Sequence, residues 1–175
     1  SGDEYTFKGI DADLSAGYGI DDPNADGQVV GGIWDNHAKI SYLIESKTEQ
    51  TVSLIFRTAI FDATRTKLTN TFEYIKVNDV DLALENVYIE ASSGLGTSNY
   101  GFFYFTDVKL NAGNNTIVLQ TTTTGRTNFD YMLIKSTDSV DWGEKEVIPP
   151  ETGEKYRFEG ELATLEGCNS ESQAL

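Results

Sequence analysis

Histidine, cysteine and methionine occur once each in this chain of 175 residues, and proline only three times. With His37 as the sole histidine, a histidine-based metal site or a Ser-His-Asp triad would have to run through that one residue. The sole thiol, Cys168, cannot form an internal disulfide, so no disulfide framework exists. An extracellular location stays compatible with this, because a core of this size needs no covalent staples. No apolar run approaches the roughly 18 residues of a membrane helix, and no glycine-rich phosphate loop with its lysine is present. Positive charge is also scarce. Lys and Arg total 13 against 28 Asp and Glu, a formal net charge of −15. Such a surface repels phosphate backbones and anionic lipid heads, which argues against nucleic acid and membrane partners. The acidity suits a secreted bacterial protein or a calcium binder, and equally plain solubility.

What is present points to strands. Tyr and Phe number nine each and glycine 16, a mixture that favours pleated, half-buried surfaces joined by tight turns. Apolar residues recur with period two. Ile40, Tyr42 and Ile44 share one face of KISYLIE, and Val52, Leu54, Phe56 and Ile60 share one face of TVSLIFRTAI. TFEYIKV, ALENVYIEA, FYFTDVKL, TIVLQTTT and FDYMLIKS follow, separated by turn-rich pieces such as DDPNADG, VNDVD, SSGLGTSN and NAGNN. Seven or more short strands at this spacing predict an all-β antiparallel sandwich or jelly roll.

The alternation stops near Ser136. Residues 1–137 therefore read as one module, and the polar, acidic stretch 138–155 with Pro149-Pro150 reads as a linker. Residues 156–175 read as the start of a second, truncated module. YTFKGIDADLSAG from Tyr5 and YRFEGELATLEGC from Tyr156 align without gaps, matching Phe7 with Phe158, Gly9 with Gly160 and Leu14 with Leu165. A tandem array accounts for that similarity.

Three segments, in order, carry a family resemblance: the aromatic-x-Glu-x-Glu-x-Ala-x-Leu start best seen in YRFEGELATL, then GQVVGGIWDNHAKISYLIE, then DVKLNAGNNTIVLQTTTTGRTNFDYMLIKS. Together they resemble carbohydrate-binding modules of families 35 and 6, with family 35 the nearer. The resemblance implies a β-sandwich jelly roll of the galactose-binding-like type and a non-catalytic module holding a larger secreted or cell-surface protein to an oligo- or polysaccharide. By position it implies a sugar site in the loops at one end of the sandwich, formed by Trp34, Tyr100 and Asn128, with Arg126 beside them.

The residue types suit that role on physical grounds. A pyranose has a C–H face that packs on an aromatic ring, and hydroxyls that pair with amides. Each residue also has a plainer reading. Trp34 could anchor its loop to the sandwich edge, Tyr100 could be a strand-edge tyrosine, Asn128 could cap its own turn, and Arg126 could be solvated. An extra residue separates Gly32 from Trp34 relative to the family pattern, so Gly32 could hold the usual aromatic position instead.

In the same family group the two glutamates of the start and an Asp on the last strand help to bind a structural calcium, an oxygen-ligated ion. The second module start keeps both as Glu159 and Glu161, making them candidate Ca²⁺ ligands there. In the first module the matching positions are Lys8 and Ile10, with Asp130 the residual ligand position. No metal or other cofactor is therefore expected in the first module, and the Lys8 ammonium is expected to pair with Asp130. The acidic stretch Asp11, Asp13, Asp21, Asp22 and Asp26 lacks the spacing of an EF-hand loop and reads as solvated. Two other functions stay open: a structural or adhesive jelly-roll module without a sugar site and, ranked last, a small hydrolase domain, for which no carboxylate pair is marked.

Overall fold

The computed structural model of the chain describes residues 2–33, 37–61, 64–91 and 99–145. Strands dominate them: β1 Asp3–Lys8, β2 Asp13–Leu14, β3 Tyr18–Asp21, β4 Gln28–Gly31, β5 Lys39–Ser46, β6 Gln50–Ile60, β7 Arg65–Lys67, β8 Phe72–Val77, β9 Val80–Asp81, β10 Tyr88–Ala91, β11 Asn99–Leu110, β12 Gly113–Thr121, β13 Phe129–Ser136 and β14 Val140–Trp142. A 3₁₀ turn at Gly9–Asp11 and one helical turn, α1 Leu68–Thr71, complete the regular structure of the described residues. The strands form two antiparallel sheets. The larger, eight-stranded sheet runs β3-β4-β13-β6-β11-β10-β7, with β1 also on β13; the six-stranded sheet runs β14-β5-β12-β8-β9, with β2 also on β5. This is the jelly-roll sandwich that the alternating sequence predicts.

The core lies between the sheets. Ile40, Tyr42 and Ile44 of β5 and Val52, Leu54, Phe56 and Ile60 of β6 are all buried, on the faces that the alternation assigns to them. Phe56 stacks on Phe103 with centroids 4.9 Å apart, and Phe72 tilts against Phe103 at 5.7 Å. Each such side chain contributes about 1.5–3 kcal/mol on burial, so this aromatic cluster outweighs any surface ion pair as a source of stability.

Two boundaries differ from the sequence reading. ALENVYIEA yields only β10, because Asn86 adopts a left-handed backbone (φ 66°) and the Val87 amide turns back to the Leu84 carbonyl at 3.2 Å. The stretch expected to be linker from residue 138 includes a strand of the sandwich. Val140, Asp141 and Trp142 pair with Ser46, Glu45 and Ile44 of β5. The Trp142 ring stacks on Tyr42 at 5.7 Å and meets the Phe7 ring edge-on at 5.2 Å. This strand is three residues long and lies among acids, too short to show a period. The chain divides into units Ser1–Glu144 and Lys145–Leu175. The expected second-module start, with Glu159, Glu161 and Cys168, lies outside the described residues.

Replacing Trp142 with Ala is expected to lower the unfolding free energy by about 2–3 kcal/mol, since an aromatic contact shared by both sheets is lost. Urea denaturation followed by far-UV circular dichroism measures this, and a linker residue would show no change.

Candidate functional site

Strand register brings several described strand ends together at one end of the sandwich. Phe129 pairs with Val30 of β4 and Thr58 of β6, while Asn99 pairs with Ile60. Gly31, Phe61, Tyr100, Arg126 and Asn128 therefore gather at neighbouring strand ends.

Asn128 is fixed by its backbone. Its carbonyl accepts the Ala59 amide at 2.9 Å and the Thr58 hydroxyl at 3.2 Å. Next to it the Thr127 hydroxyl bonds that of Thr58 and donates to the Ala59 carbonyl at 2.8 Å. The side-chain amide is held differently. Asn128 Oδ1 is buried and has no hydrogen-bond partner among the described residues, an arrangement that costs about 1–3 kcal/mol unless something else satisfies it. The plainer reading, a side chain capping its own turn, does not account for this oxygen. The Ile20 side chain fills the space over Gly31, where a Cβ would collide with it and would come 3.4 Å from Asn128 Oδ1.

A ring that sequence reasoning did not select stands nearby. Tyr18, 63% exposed, lies over Gly32, whose φ of 70° and close approach to that ring both require glycine. Gly32 thus has an aromatic supplied to it from β3. The available signal was the run of glycines around Tyr18 and at Gly31-Gly32, which marks a close backbone-to-ring approach. Trp34 lies outside the described residues.

Tyr100 does not have the free ring face expected of a sugar platform. It is 2% exposed, its hydroxyl donates to Asp22 Oδ2 at 2.7 Å, and the Arg57 guanidinium sits 4.3 Å from its ring centroid. Val29 and Ala59 pack with it in a small apolar cluster on the outer side of the larger sheet, joined by Ile20, Ala25 and Phe61. Its side chain points into that cluster, and strand alternation alone cannot distinguish an outer cluster from solvent. Arg126 is exposed, with its guanidinium 5.3 Å from the Phe61 ring, and borders a small depression shared with Asn70, Thr71 and Thr124. His37 is exposed and bonds Glu73 through Nδ1 at 2.8 Å.

On the outer side of the larger sheet, next to Tyr100, lies a charged cluster. Between Phe129 and Tyr131 the β13–β6 register shifts by one residue, a bulge that turns Asp130 out of the normal alternation. Asp130 is 1% exposed; Oδ1 accepts from Lys8 Nζ and Oδ2 from Arg57 Nη1 at 2.5 Å. The pairing of Lys8 with Asp130 expected from the repeat alignment is present. The residues here do not fit the structural calcium that the family resemblance implies. An ammonium and an alkyl group stand at the two glutamate positions, and both oxygens of Asp130 are engaged by cations. No group of three or more His, Cys, Asp or Glu side chains suited to a metal occurs among the described residues.

Burial, then the bond to Asp22, raises the Tyr100 phenol well above the ordinary tyrosine range; burial, then the Asp130 charge, does the same for Tyr42. A tyrosine raised in the folded state favours folding fully below its unfolded value of about 10, and the contribution fades as pH rises above that. In an alkaline titration followed by phenolate absorbance, Tyr42 and Tyr100 are expected to ionise only with unfolding. Tyr100→Phe is expected to remove one of those late steps.

No sequence-family profile matches the chain, and no curated protein does. Solved structures share its fold. A family 35 carbohydrate-binding module from Clostridium thermocellum superposes with a TM-score of 0.60 at 17% identity, covering 75% of this chain and 97% of that one. A family 35 module from Cellvibrio japonicus gives 0.59 at 15% identity, covering 81% and 99%. The exo-β-1,3-galactanase of Phanerochaete chrysosporium gives 0.58 at 11% identity, covering 75% of this chain and 29% of that enzyme. The chain therefore has the β-jelly-roll sandwich fold of the family 35 carbohydrate-binding modules.

Proposed function

We propose that this chain is a non-catalytic carbohydrate-binding module that holds a larger secreted or cell-surface protein to a glycan at the Asn128 end of the sandwich. The observation that carries this is the buried, unpartnered Asn128 Oδ1 next to Gly31. A buried acceptor without a partner is the kind that gains most from a donor brought by a ligand, and a sugar hydroxyl would reach this one once neighbouring side chains move aside. The exposed Tyr18 ring offers a C–H-binding face nearby, Arg126 a set of donors, and Trp34 is retained as a stacking partner on sequence grounds. The fold likeness supports the reading, and in the galactanase it extends over 29% of the enzyme, the size of an appended module. A formal charge of −15 directs the choice towards neutral glycans.

One or two stacked rings and a few hydroxyl bonds at an open site correspond to dissociation constants of about 10 μM to 1 mM. A second module following Tyr156 would raise the apparent affinity by avidity. The buried Tyr100 favours the alternative, a structural or adhesive module without a sugar site, because one of the family's two flanking aromatics is taken out of play.

A glycan array followed by calorimetry separates the two. Under the binding reading, a neutral oligosaccharide binds, Asn128→Ala weakens it about tenfold, Trp34→Ala weakens it at least as much, and Tyr100→Phe leaves it within about twofold. An array without hits, or binding indifferent to both Asn128 and Trp34, favours the structural module.

A further inference from the structure

Two organic cations complete an arrangement of oxygens around Asp130. Lys8 Nζ joins Asp130 Oδ1 to the Asp26 carbonyl, the latter at 2.9 Å. Arg57 joins Asp130 Oδ2 at 2.5 Å through Nη1 to the Asn24 carbonyl at 3.0 Å through Nη2. A buried carboxylate and backbone carbonyls from a loop are the ligand types of a hard metal ion. Here an ammonium and a guanidinium stand among them instead.

Both carbonyls belong to the loop between β3 and β4. That loop is held at alternate residues by side chains from different strands: Asp22 by the Tyr100 hydroxyl of β11, Asn24 by Arg57 of β6, and Asp26 by Lys8 of β1. Asp22 also accepts the Asn24 amide at 2.9 Å, which closes the turn on itself. Local charge follows from the same contacts. Both oxygens of the Asp130 carboxylate are paired with cations. A divalent ion placed there would meet two like charges within a few ångströms.

We propose that Lys8 and Arg57 act as built-in replacements for a structural metal ion. They clamp the β3–β4 loop to the larger sheet and make the hairpin that carries Tyr18, Gly31 and Gly32 independent of calcium. The clamp stands on its own contacts, whatever the Asn128 end binds.

The full chain tests it by amide exchange and by calcium titration, both read by NMR. With excess Ca²⁺ or with EDTA, the resonances of Lys8, Asp26 and Asp130 stay in place and the melting temperature is unchanged. In Lys8→Met, the Asn24 and Ala25 amides exchange about tenfold faster than in the parent and Ca²⁺ does not reverse this, while Lys8→Arg keeps exchange within about threefold of the parent. Calcium-dependent shifts at Lys8, Asp26 or Asp130 in the parent protein would overturn the proposal. So would Lys8→Met exchanging at the parent rate. Should Lys8→Met fail to fold, the calcium titration of the parent and the Lys8→Arg exchange still decide.

Discussion

A carboxylate that is 1% exposed is tolerated only when its charge is answered, and the outer side of the larger sheet is organised around answering Asp130. The bulge in β13 brings the carboxylate to that side. Lys8 from β1 and Arg57 from β6 reach it from the two strands flanking β13. Because each cation also holds a carbonyl of the β3–β4 loop, the same neutralisation ties down the tip of a hairpin whose Val29 and Val30 are already buried. Arg57 serves a further purpose by covering Tyr100, so the ring excluded from ligand contact becomes part of the support.

Most of the sandwich was legible because strands with one buried face alternate strictly, as β5 does over its whole length and β6 does up to Thr58. The Lys8–Asp130 pair was legible for a different reason. Aligning the stretch from Tyr156 with the one from Tyr5 sets a glutamate against Lys8, and that contrast pointed to position 8. Neither signal reports on Tyr100. An aromatic after a glycine-rich loop looks the same whether it faces solvent or a second apolar cluster, and the residues that bury it come from β4, β6 and the loop before β4. Arg57 was equally hidden, being an ordinary outward position on a strand until the bulge places an acid beside it. β14 escaped notice because two apolar residues among acids carry no period.

The site was legible in part. Asn128 stands out from its position ahead of the last long strand, but what distinguishes it, an amide oxygen buried without a partner, is a property of Gly31 and Ile20 as much as of Asn128. Tyr18 shows the converse: the place its ring takes depends on Gly32 having no side chain, a fact written 14 residues away from it. Two small residues on β4 and after it thus shape the loop end more than the large ones do.

Strand direction has a mechanical consequence. The chain enters β1 at Asp3 opposite Ser136, while Asn128 lies at the other end of β13, roughly 25 Å away at about 3.3 Å per residue. Tension between the upstream chain and anything held at Asn128 pulls along the strands, not across them. The β1–β13 ladder from Asp3↔Ser136 to Lys8↔Tyr131 is then loaded in shear, and its rungs share the force together instead of opening one at a time.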